Sequence, residues 1–478
     1  MSDTIPIIEA SHFLMGFGIL LMLLIGTYAS RYYQVQRNLF YLLLAFFTLS
    51  FGVVIYTTDW IYFLIAWEGI TIITTAMILL AERRLAAQYF LIQFVGSNIL
   101  YFAIIMALGE GYSNIVPLEE PWLQMLFILG LGTKSALLGL HFWLPPVHSR
   151  AHAPVSALLS GWSVNVGFVM MLRLLPEGNN ILFFIGLAMI FYGGAMAFFS
   201  TDYKVLLAYS TLSQLGYIAL GIGSGTLLGQ IGAVLHMVVH GIAKTTLFLG
   251  SGLWEKECNG RIIYRFERAF YRHPVNAVST IAGFSSLMGM VFLAGFHTKN
   301  LIKHGTEDIY ATGFLLYGAT LITVLYAMRF LWWGILKDMV MKSVQNRREK
   351  ITCTYPPSVS EHVPLIIGTA LLLAFGIYPP LMYMFLQLED PGIVILWWPT
   401  MIENILFLVV GIALLALTEG LFFPLKPVPS LNRMLGLVIT ISQKVSNSIF
   451  QLLFPSFQYQ LLWIPLIILF LLLWTNFI

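Results

Sequence analysis

Titratable side chains stand alone inside long apolar segments of this sequence, and their chemistry needs an explanation. Lys134 lies within LFILGLGTKSALLGLHFW, far along the chain from any other charge. Placing a lysine at the centre of a membrane helix costs about 2.5–3.5 kcal/mol. A buried amine can carry a proton when burial favours its neutral form and a nearby anion favours its charged form. We interpret Lys134 as a proton carrier, and a lysine neutralised only for packing is the alternative.

Glu68 is the candidate anion for that lysine. It lies in YFLIAWEGITIITTAM, and no other charge stands in that segment. A lone glutamate inside a membrane helix can also be a structural hydrogen-bonding partner. A Glu and a Lys at similar depth, two helices apart, favour a switchable ion pair.

A second constellation lies in GAVLHMVVHGIAKTTLFLG, where His236, His240 and Lys244 follow at intervals of four residues. Residues at this spacing share one face of a helix. Histidine titrates near neutral pH, which suits a proton relay. A metal site and an inert buried His pair are the alternatives, but zinc needs a third protein ligand, and neither Glu nor Cys accompanies the pair in this segment. We therefore predict a relay without bound metal.

Lys299 lies in VFLAGFHTKNLIKHG, at the end of another apolar run. Taken alone, it is equally well explained as an anchor at the membrane interface. His297 and His304 beside it are open to the same two interpretations.

The elements that position these residues are predicted to be membrane helices. The 478 residues are 59% apolar and 10% charged, whereas soluble domains carry about 25% charged residues. The sequence predicts an all-α polytopic membrane protein with about 14 transmembrane helices, because fourteen runs are long enough to cross a bilayer of about 30 Å. The predicted spans are 10–29, 38–57, 59–80, 86–109, 122–143, 153–174, 180–200, 203–222, 228–253, 275–296, 309–335, 362–386, 402–424 and 457–477.

Loop charges test this arrangement of spans. Alternate loops hold most of the Lys and Arg residues, among them Arg31, Arg83, Arg150 and Lys204, whereas the other loops are acidic. The positive-inside rule then predicts an inner-membrane, multi-pass chain with both termini on the outer side. The basic clusters are short and juxtamembrane, so no nucleic-acid partner is expected.

Several segments resemble the antiporter-type subunits of respiratory complex I, Mrp antiporters and membrane-bound hydrogenases. They are TTDWIYFLIAWEGIT, HFWLPPVHSRAHAPVSALL, TDYKVLLAYSTLSQLGYIALGIG, HMVVHGIAKTTLFLGSG and AGFHTKNLI. The resemblance covers about residues 10–335 and is closest to the large complex I antiporter subunit.

The resemblance implies two inverted five-helix repeats, at 38–174 and 180–335. An N-terminal helix and loop would occupy 1–37, and C-terminal helices would occupy 336–478, with an amphipathic segment at 427–455. It also implies that Glu68 pairs with Lys134, that His236, His240 and Lys244 form the central relay, and that Lys299 is the exit on the outer side.

The sequence departs from this family in the helices that correspond to its sixth, which contains Ser97, and its eighth, which contains Ser160 and Asn165. Ser160 and Asn165 occupy positions where relatives carry His or Lys, and Ser97 stands where the large subunit has an acid. Water would have to complete the path, and we expect Ser160, Asn165 and Ser213 to line it.

These observations predict a subunit that conducts H⁺ or Na⁺ within a larger membrane complex. No redox-cofactor motif, P-loop or paired-carboxylate site is visible, so we expect neither catalytic residues nor a cofactor in this chain. Its partners would be redox or hydrogenase-type subunits of a proton-translocating oxidoreductase. One alternative is the membrane subunit of a proton-driven inorganic-carbon (CO2/bicarbonate) uptake complex, with a cytosolic zinc carbonic-anhydrase-like partner. Another is a stand-alone ion-coupled solute transporter.

Overall fold

The computed structural model describes residues 7–258, 261–263, 272–310, 312–332, 355–386 and 397–422. In these ranges the regular structure is helical, apart from one isolated bridge between Asp202 and Ile262. The first eight helices are α1 Ile7–Tyr32, α2 Arg37–Tyr56, α3 Trp60–Leu79, α4 Arg83–Gly109, α5 Pro121–Lys134, α6 Leu144–Arg150, α7 Ala153–Leu158 and α8 Asn165–Leu174. The others are α9 Asn180–Phe199, α10 Tyr203–Gly223, α11 Leu227–Cys258, α12 Pro274–Met288, α13 Ala294–Thr306, α14 Thr312–Leu331, α15 Val359–Ile377, α16 Pro380–Phe385 and α17 Trp397–Phe422.

The described part of the chain contains 10 helices that are long and apolar enough to cross a membrane. The prediction of fourteen spans is therefore met only in part. Three predicted spans are wrong as unbroken helices. In 122–143, α5 ends at Lys134 and only a 3-10 turn at His141–Trp143 follows; 275–296 is divided between α12 and α13, and 362–386 between α15 and α16. The predicted span 457–477 and the amphipathic segment 427–455 lie outside the described residues.

Short capped turns separate neighbouring helices. The carboxylate of Asp59 accepts hydrogen bonds from the backbone amides of Ile61 and Tyr62, at 2.7 and 3.1 Å. A side chain that accepts from the first free amides of a helix defines where the helix begins. The predicted boundary between α2 and α3 is thus confirmed at residues 57–59.

Contacts between loops define two ends of the helix bundle. At one end, which we call the basic end, contacts join loops 31–36, 80–82, 150–152 and 200–202, as in the pairs Arg150–Glu82 and Tyr33–His152. At the other end, the acidic end, backbone hydrogen bonds join loops 57–59, 110–120, 175–179 and 223–226, as in Ile115 to Thr58 and Asn179 to Gly223. The alternation of loop charges in the sequence therefore corresponds to the two ends of the bundle.

The most deeply buried helices are also those with polar side chains. Helices α10 and α11 are buried along nearly their whole length, as is the segment from Ala153 to Leu174. Helix α3, by contrast, exposes Ile61, Ile65 and Ile72 along one face. An exposed apolar face suits lipid, so the polar groups of the central helices face other helices instead.

Candidate functional site

The backbone leaves its helical path directly after Lys134. This residue ends α5, and the following residues Ala136 and Gly139 have φ values of 52° and 91°. A non-glycine residue in the left-handed region is strained, and such strain concentrates at functional sites. The indole of Trp143 donates to the freed carbonyl of Thr133 at 2.8 Å, which holds the interruption closed. Lys134 therefore lies at a helix C-terminus, where the helix dipole favours a cation.

Lys134 is buried against α3. Its side chain donates from Nζ to Thr71 Oγ1 at 2.7 Å and lies 4.5 Å from the ring centroid of Trp67. Ammonium groups are attracted to the faces of aromatic rings, more strongly when water is excluded. Trp67 and Thr71 stand one turn apart on α3, so this helix supplies both contacts.

Glu68 stands on the same helix and is half-buried. Its carboxylate interacts electrostatically with Lys134 and with Tyr101. Its Oε1 atom is buried without a hydrogen-bond partner. Lys134 and Glu68, both among the described residues, form no direct ion pair, and the ammonium group donates to Thr71 instead. The predicted pair is thus a pair of neighbouring charges in this state, and its switching stays a prediction.

The two histidines of α11 lie one above the other. The rings of His236 and His240 are inclined at 30° to each other, with centroids 6.4 Å apart. His236 Nδ1 is bonded to Thr298 Oγ1 at 2.8 Å, and Tyr217 lies 5.9 Å from the same ring. Nε2 of His236 and both ring nitrogens of His240 are buried without a partner. Each of these nitrogens has free capacity for a proton or a water molecule.

Lys244 lies one turn beyond His240 and is fully buried. Its Nζ donates to Ser210 Oγ at 2.5 Å and to the carbonyl of Leu207 at 3.0 Å, both on α10. Its charge acts on His240. The three residues predicted from their spacing therefore meet inside the packed centre formed by α10 and α11.

Sequence reasoning did not select His148, which the structure adds to this group. It stands on the short helix α6, is fully buried, and has no hydrogen-bond partner at either ring nitrogen. Its ring lies against Phe248 at 5.1 Å, and the charges of Lys244 and Lys204 act on it. The available signal was the Pro pair that starts α6, because it begins a helix that returns His148 to the core.

The segment that lacks the expected ionisable group contains a π-helical turn at Leu159–Ser163. Such turns are frequent at functional sites because they interrupt regular hydrogen bonding. Ser160 shares a 2.7 Å hydrogen bond with Thr211, and Asn165 donates weakly to the carbonyl of Met237, between the two histidines of α11. The Oδ1 atom of Asn165 is buried without a partner.

Ser213 and Ser97 form hydrogen bonds away from the two histidines of α11. Ser213 donates to the carbonyl of Ile190 on α9 at 3.0 Å, so its predicted place along the path stays a prediction. Ser97 accepts from the indole of Trp67 at 3.3 Å, beside the lysine site.

Lys299 is buried, which favours its interpretation as a pathway residue over that as an interfacial anchor. Its Nζ donates to the carbonyl of Leu287 at 2.5 Å and lies 4.4 Å from the ring centroid of Tyr217. The preceding residue, Thr298, is the partner of His236, which connects Lys299 to the histidines. A second interruption precedes it, with φ values of 78° at Gly289 and 67° at Phe292.

His297 and His304 have separate partners. His297 Nε2 is bonded to the carbonyl of Gly376 at 2.9 Å, and His304 faces Glu307 at 3.1 Å. The first contact ties α13 to α15, and the second lies at the C-terminal end of α13 itself. Neither contact belongs to the line of groups from Lys244 to Lys299.

Two relatives align with about three fifths of this chain. A probable K(+)/H(+) antiporter protein of Rhizobium meliloti (strain 1021) is 30% identical over 345 residues, which is 64% of this chain and 34% of that protein. The "NAD(P)H-quinone oxidoreductase chain 4 1" of Synechococcus elongatus is 28% identical over 311 residues, which is 60% of this chain and 58% of that protein. The chain thus spans between one third and three fifths of the length of these two relatives.

Solved structures share the fold. A chain of the Mrp complex from Dietzia sp. DQ12-45-1b gives a TM-score of 0.71 at 21% identity, covering 97% of this chain and 55% of that chain. A chain of respiratory complex I from Thermus thermophilus gives 0.68 at 23% identity, covering 83% and 85% respectively. Residues 57–323 match the family described as "NADH:quinone oxidoreductase/Mrp antiporter, TM". Because this match takes in more than half of the chain, the protein belongs to that family of antiporter-like membrane subunits.

Proposed function

We propose that this chain conducts protons along a buried line of titratable groups as a subunit of a multi-subunit membrane complex. The observation that carries the proposal is the line itself, which links two interrupted helices across an apolar core. From one interruption to the other its members are Lys134, His148, Lys244, His240, His236 and Lys299. Buried ionisable groups are costly in a membrane, so a series of six is difficult to explain by packing alone.

From His148 to Lys299, neighbouring members of the line interact electrostatically, and Lys134 adjoins His148 through Trp143. Trp143, bonded to the residue before Lys134, lies 6.2 Å from the ring of His148. Lys244 acts on both His148 and His240, and Lys299 acts on His236. When one group gains a proton, its neighbours hold theirs less tightly, because like charges repel. A proton that enters at one lysine can therefore displace charge toward the other.

His148 provides a titratable step that the eighth helix lacks. His148 interacts electrostatically with Lys244. It lies on α6, whereas the missing group was expected in the segment 153–174, which corresponds to the family's eighth helix. The free Oδ1 of Asn165 and the free nitrogens of His240 are the groups that a bridging water would use. A buried water typically makes about three hydrogen bonds, and these atoms offer the partners that such a water would need.

The proposal extends to the arrangement of the chain. Two inverted repeats at 38–174 and 180–335 would each contain one interrupted helix with a lysine, α5 with α6 and α12 with α13. The basic end would face the cytoplasm and both termini would lie outside, by the positive-inside rule. Residues 1–37 and 336–478 would flank the repeats. The partners would be the other subunits of a complex of the Mrp or quinone-oxidoreductase type.

Proton movement in vesicles that carry the parent complex tests this function. The change is His240→Gln, which keeps a polar side chain but removes the titratable ring. We expect proton movement to fall at least about 100-fold, the usual range for loss of a proton-transferring group. The matched control is His297→Gln, another buried histidine outside the line, and it should leave the rate nearly unchanged. Proton movement at the unaltered rate in the assembled His240→Gln complex would refute the proposal.

A further inference from the structure

A second charged cluster lies just beyond Lys299, and the proposed line does not use it. Lys303, one turn further along α13, pairs with Glu403 of α17 at 2.8 Å. The hydroxyl of Tyr317 joins both partners: it accepts from Lys303 Nζ at 3.1 Å and donates to Glu403 Oε1 at 3.2 Å. The ammonium group also lies 4.2 Å from the centroid of the Tyr317 ring.

A small cavity lies between Lys299 and Lys303, the member of this cluster that lines it. Its volume is about 30 Å³, and its wall includes Tyr217, Lys299, Asn300, Lys303 and Thr320. A cavity needs about 10–15 Å³ to hold one water, provided that polar partners are available. This cavity has room for one or two waters and offers ammonium, amide and hydroxyl partners. Water can therefore stand between the ammonium groups of Lys299 and Lys303.

Exposure increases in steps from Lys299 to Glu403. The side chain of Lys303 is 14% exposed and that of Glu403 is 36% exposed, whereas Lys299 is buried. A carboxylate at that level of exposure can exchange protons with bulk water, which a buried amine cannot do directly. Glu403 is thus the group through which Lys299 could reach solvent at this side of the bundle.

We infer that Glu403 is the terminal proton acceptor of this half of the protein and that its pairing with Lys303 closes the outlet. The inference rests on the proposed function. An N–H bond of the Lys299 ammonium group breaks, the proton passes through cavity water and then through water beside Lys303, which lines the cavity, and an O–H bond forms on Glu403. Lys299 becomes a neutral amine and Glu403 a neutral acid, so the attraction between Glu403 and Lys303 is lost. The pair then opens, the proton leaves to bulk water, and the returning carboxylate closes the pair again.

The first experiment measures opening without measuring proton movement. In the full chain, with Cys258 and Cys353 replaced by Ser, Asn300→Cys places a thiol at the cavity. A membrane-impermeant thiol reagent is applied to this side of the assembled complex. Adding Glu403→Gln should raise the labelling rate about three- to fivefold, the factor expected for loss of a partly exposed ion pair. Labelling at the same rate with and without Glu403→Gln would overturn the closing role.

The second experiment tests whether Glu403 accepts the proton or only holds Lys303 in place. Both Glu403→Gln and Lys303→Gln break the pair, but only Glu403→Gln removes the group that accepts the proton. We expect proton release to fall at least about tenfold in Glu403→Gln, to persist in Lys303→Gln, and to be largely restored in Glu403→Asp. Equal losses in the two Gln variants, or none in Glu403→Gln, would refute the acceptor role.

These tests also distinguish failure of this inference from failure of the proposed function. His240→Gln should stop proton movement and leave the labelling of Asn300→Cys unchanged, because it interrupts the line far from the outlet. If proton movement survives His240→Gln but labelling still responds to Glu403→Gln, the line is wrong and the closing pair stands. If His240→Gln stops movement and Glu403→Gln does not, the line stands and the acceptor is wrong.

Discussion

The two interrupted helices hold their lysines in similar surroundings but with different counter-groups. Lys134 lies over Trp67 at 4.5 Å and Lys299 over Tyr217 at 4.4 Å, so each ammonium group faces an aromatic ring. Lys134 is bonded to a hydroxyl and has the carboxylate of Glu68 nearby, whereas Lys299 is bonded to the backbone carbonyl of Leu287.

This difference has a chemical consequence. A carboxylate can take up a proton and change the charge beside a lysine, but a backbone carbonyl cannot. The first interruption therefore contains its own switch, and the second must pass its proton to a carboxylate further away. The comparison indicates that the ring and the helix break are shared requirements, whereas the counter-group is specific to each half.

The largest effect should come from replacing either lysine by arginine. Arginine keeps the positive charge but does not release its proton at accessible pH. Lys134→Arg and Lys299→Arg should each reduce proton movement at least about 100-fold, with normal assembly of the complex. Proton uptake into vesicles measures the effect. A fully active arginine variant at one site would show that this lysine acts only as a fixed charge.

His148 should be the next most sensitive position, because it joins the two halves. His148→Gln is expected to lower proton movement about 10- to 100-fold, since a titratable step is lost while the packing against Phe248 is largely kept. His141→Gln, in the connection between α5 and α6, is the matched control and should have little effect. Equal rates in the two variants would remove His148 from the line.

Glu68 should matter less than either lysine. An opposite charge nearby favours the charged lysine by a factor of about ten or more. Glu68→Gln should therefore slow proton movement about tenfold without abolishing it. The second interruption allows no equivalent variant, because its counter-group is backbone. If Glu68→Gln were as severe as Lys134→Arg, the carboxylate would itself be a proton carrier.

The glycines at the two interruptions offer a matched test of stability. Gly139 and Gly289 both have positive φ, and an added Cβ meets nothing closer than 3.5 Å at either position. Alanine at each should therefore lower the free energy of unfolding by about 1–2 kcal/mol, the cost of left-handed backbone. The new methyl group in Gly289→Ala makes only an ordinary van der Waals contact with Lys299 Cδ, so both variants should lose stability without a further loss of proton movement. Thermal unfolding of the purified complex measures the stability, and proton uptake is measured alongside; a large loss of uptake in one variant would contradict this expectation.

The smallest effect is expected at His152, beyond the end of the first interrupted helix. Burial and the charge of Lys204 lower the pKa of His152, while Glu255 opposes them, and Tyr33 shares a 3.0 Å hydrogen bond with the ring. The folded pKa thus lies below the unfolded value of about 6.5. Its neutral form stabilises the fold above about pH 6.5, and this contribution is lost as the pH falls. Thermal stability should therefore decline less between pH 7.5 and 5.5 in His152→Gln than in the unaltered protein.

Much of the fold follows from local chemistry in the chain. Apolar runs of membrane length, the alternation of basic and acidic loops, and the cap at Asp59 are properties of short segments. The structure agrees with them in the described residues, except where it breaks the predicted spans 122–143, 275–296 and 362–386. The common face of His236, His240 and Lys244 follows from helical spacing alone. None of these features depends on which helices are neighbours.

The helix breaks and the long-range pairs depend on packing between helices. In an apolar segment every position has similar hydropathy, so the pattern cannot indicate that α5 ends at Lys134 or that α12 ends before Lys299. Close packing between helices decides where such breaks and contacts occur. A Cβ at Gly161, for example, would lie 3.1 Å from the carbonyl oxygen of Gly241, so α11 can pack this closely only against a glycine. The same packing brings His148 to Lys244 and Glu403 to Lys303, pairs that are about 100 residues apart in the chain. Spacing along one helix can be read from the order of residues, whereas contact between helices arises only when their surfaces fit together.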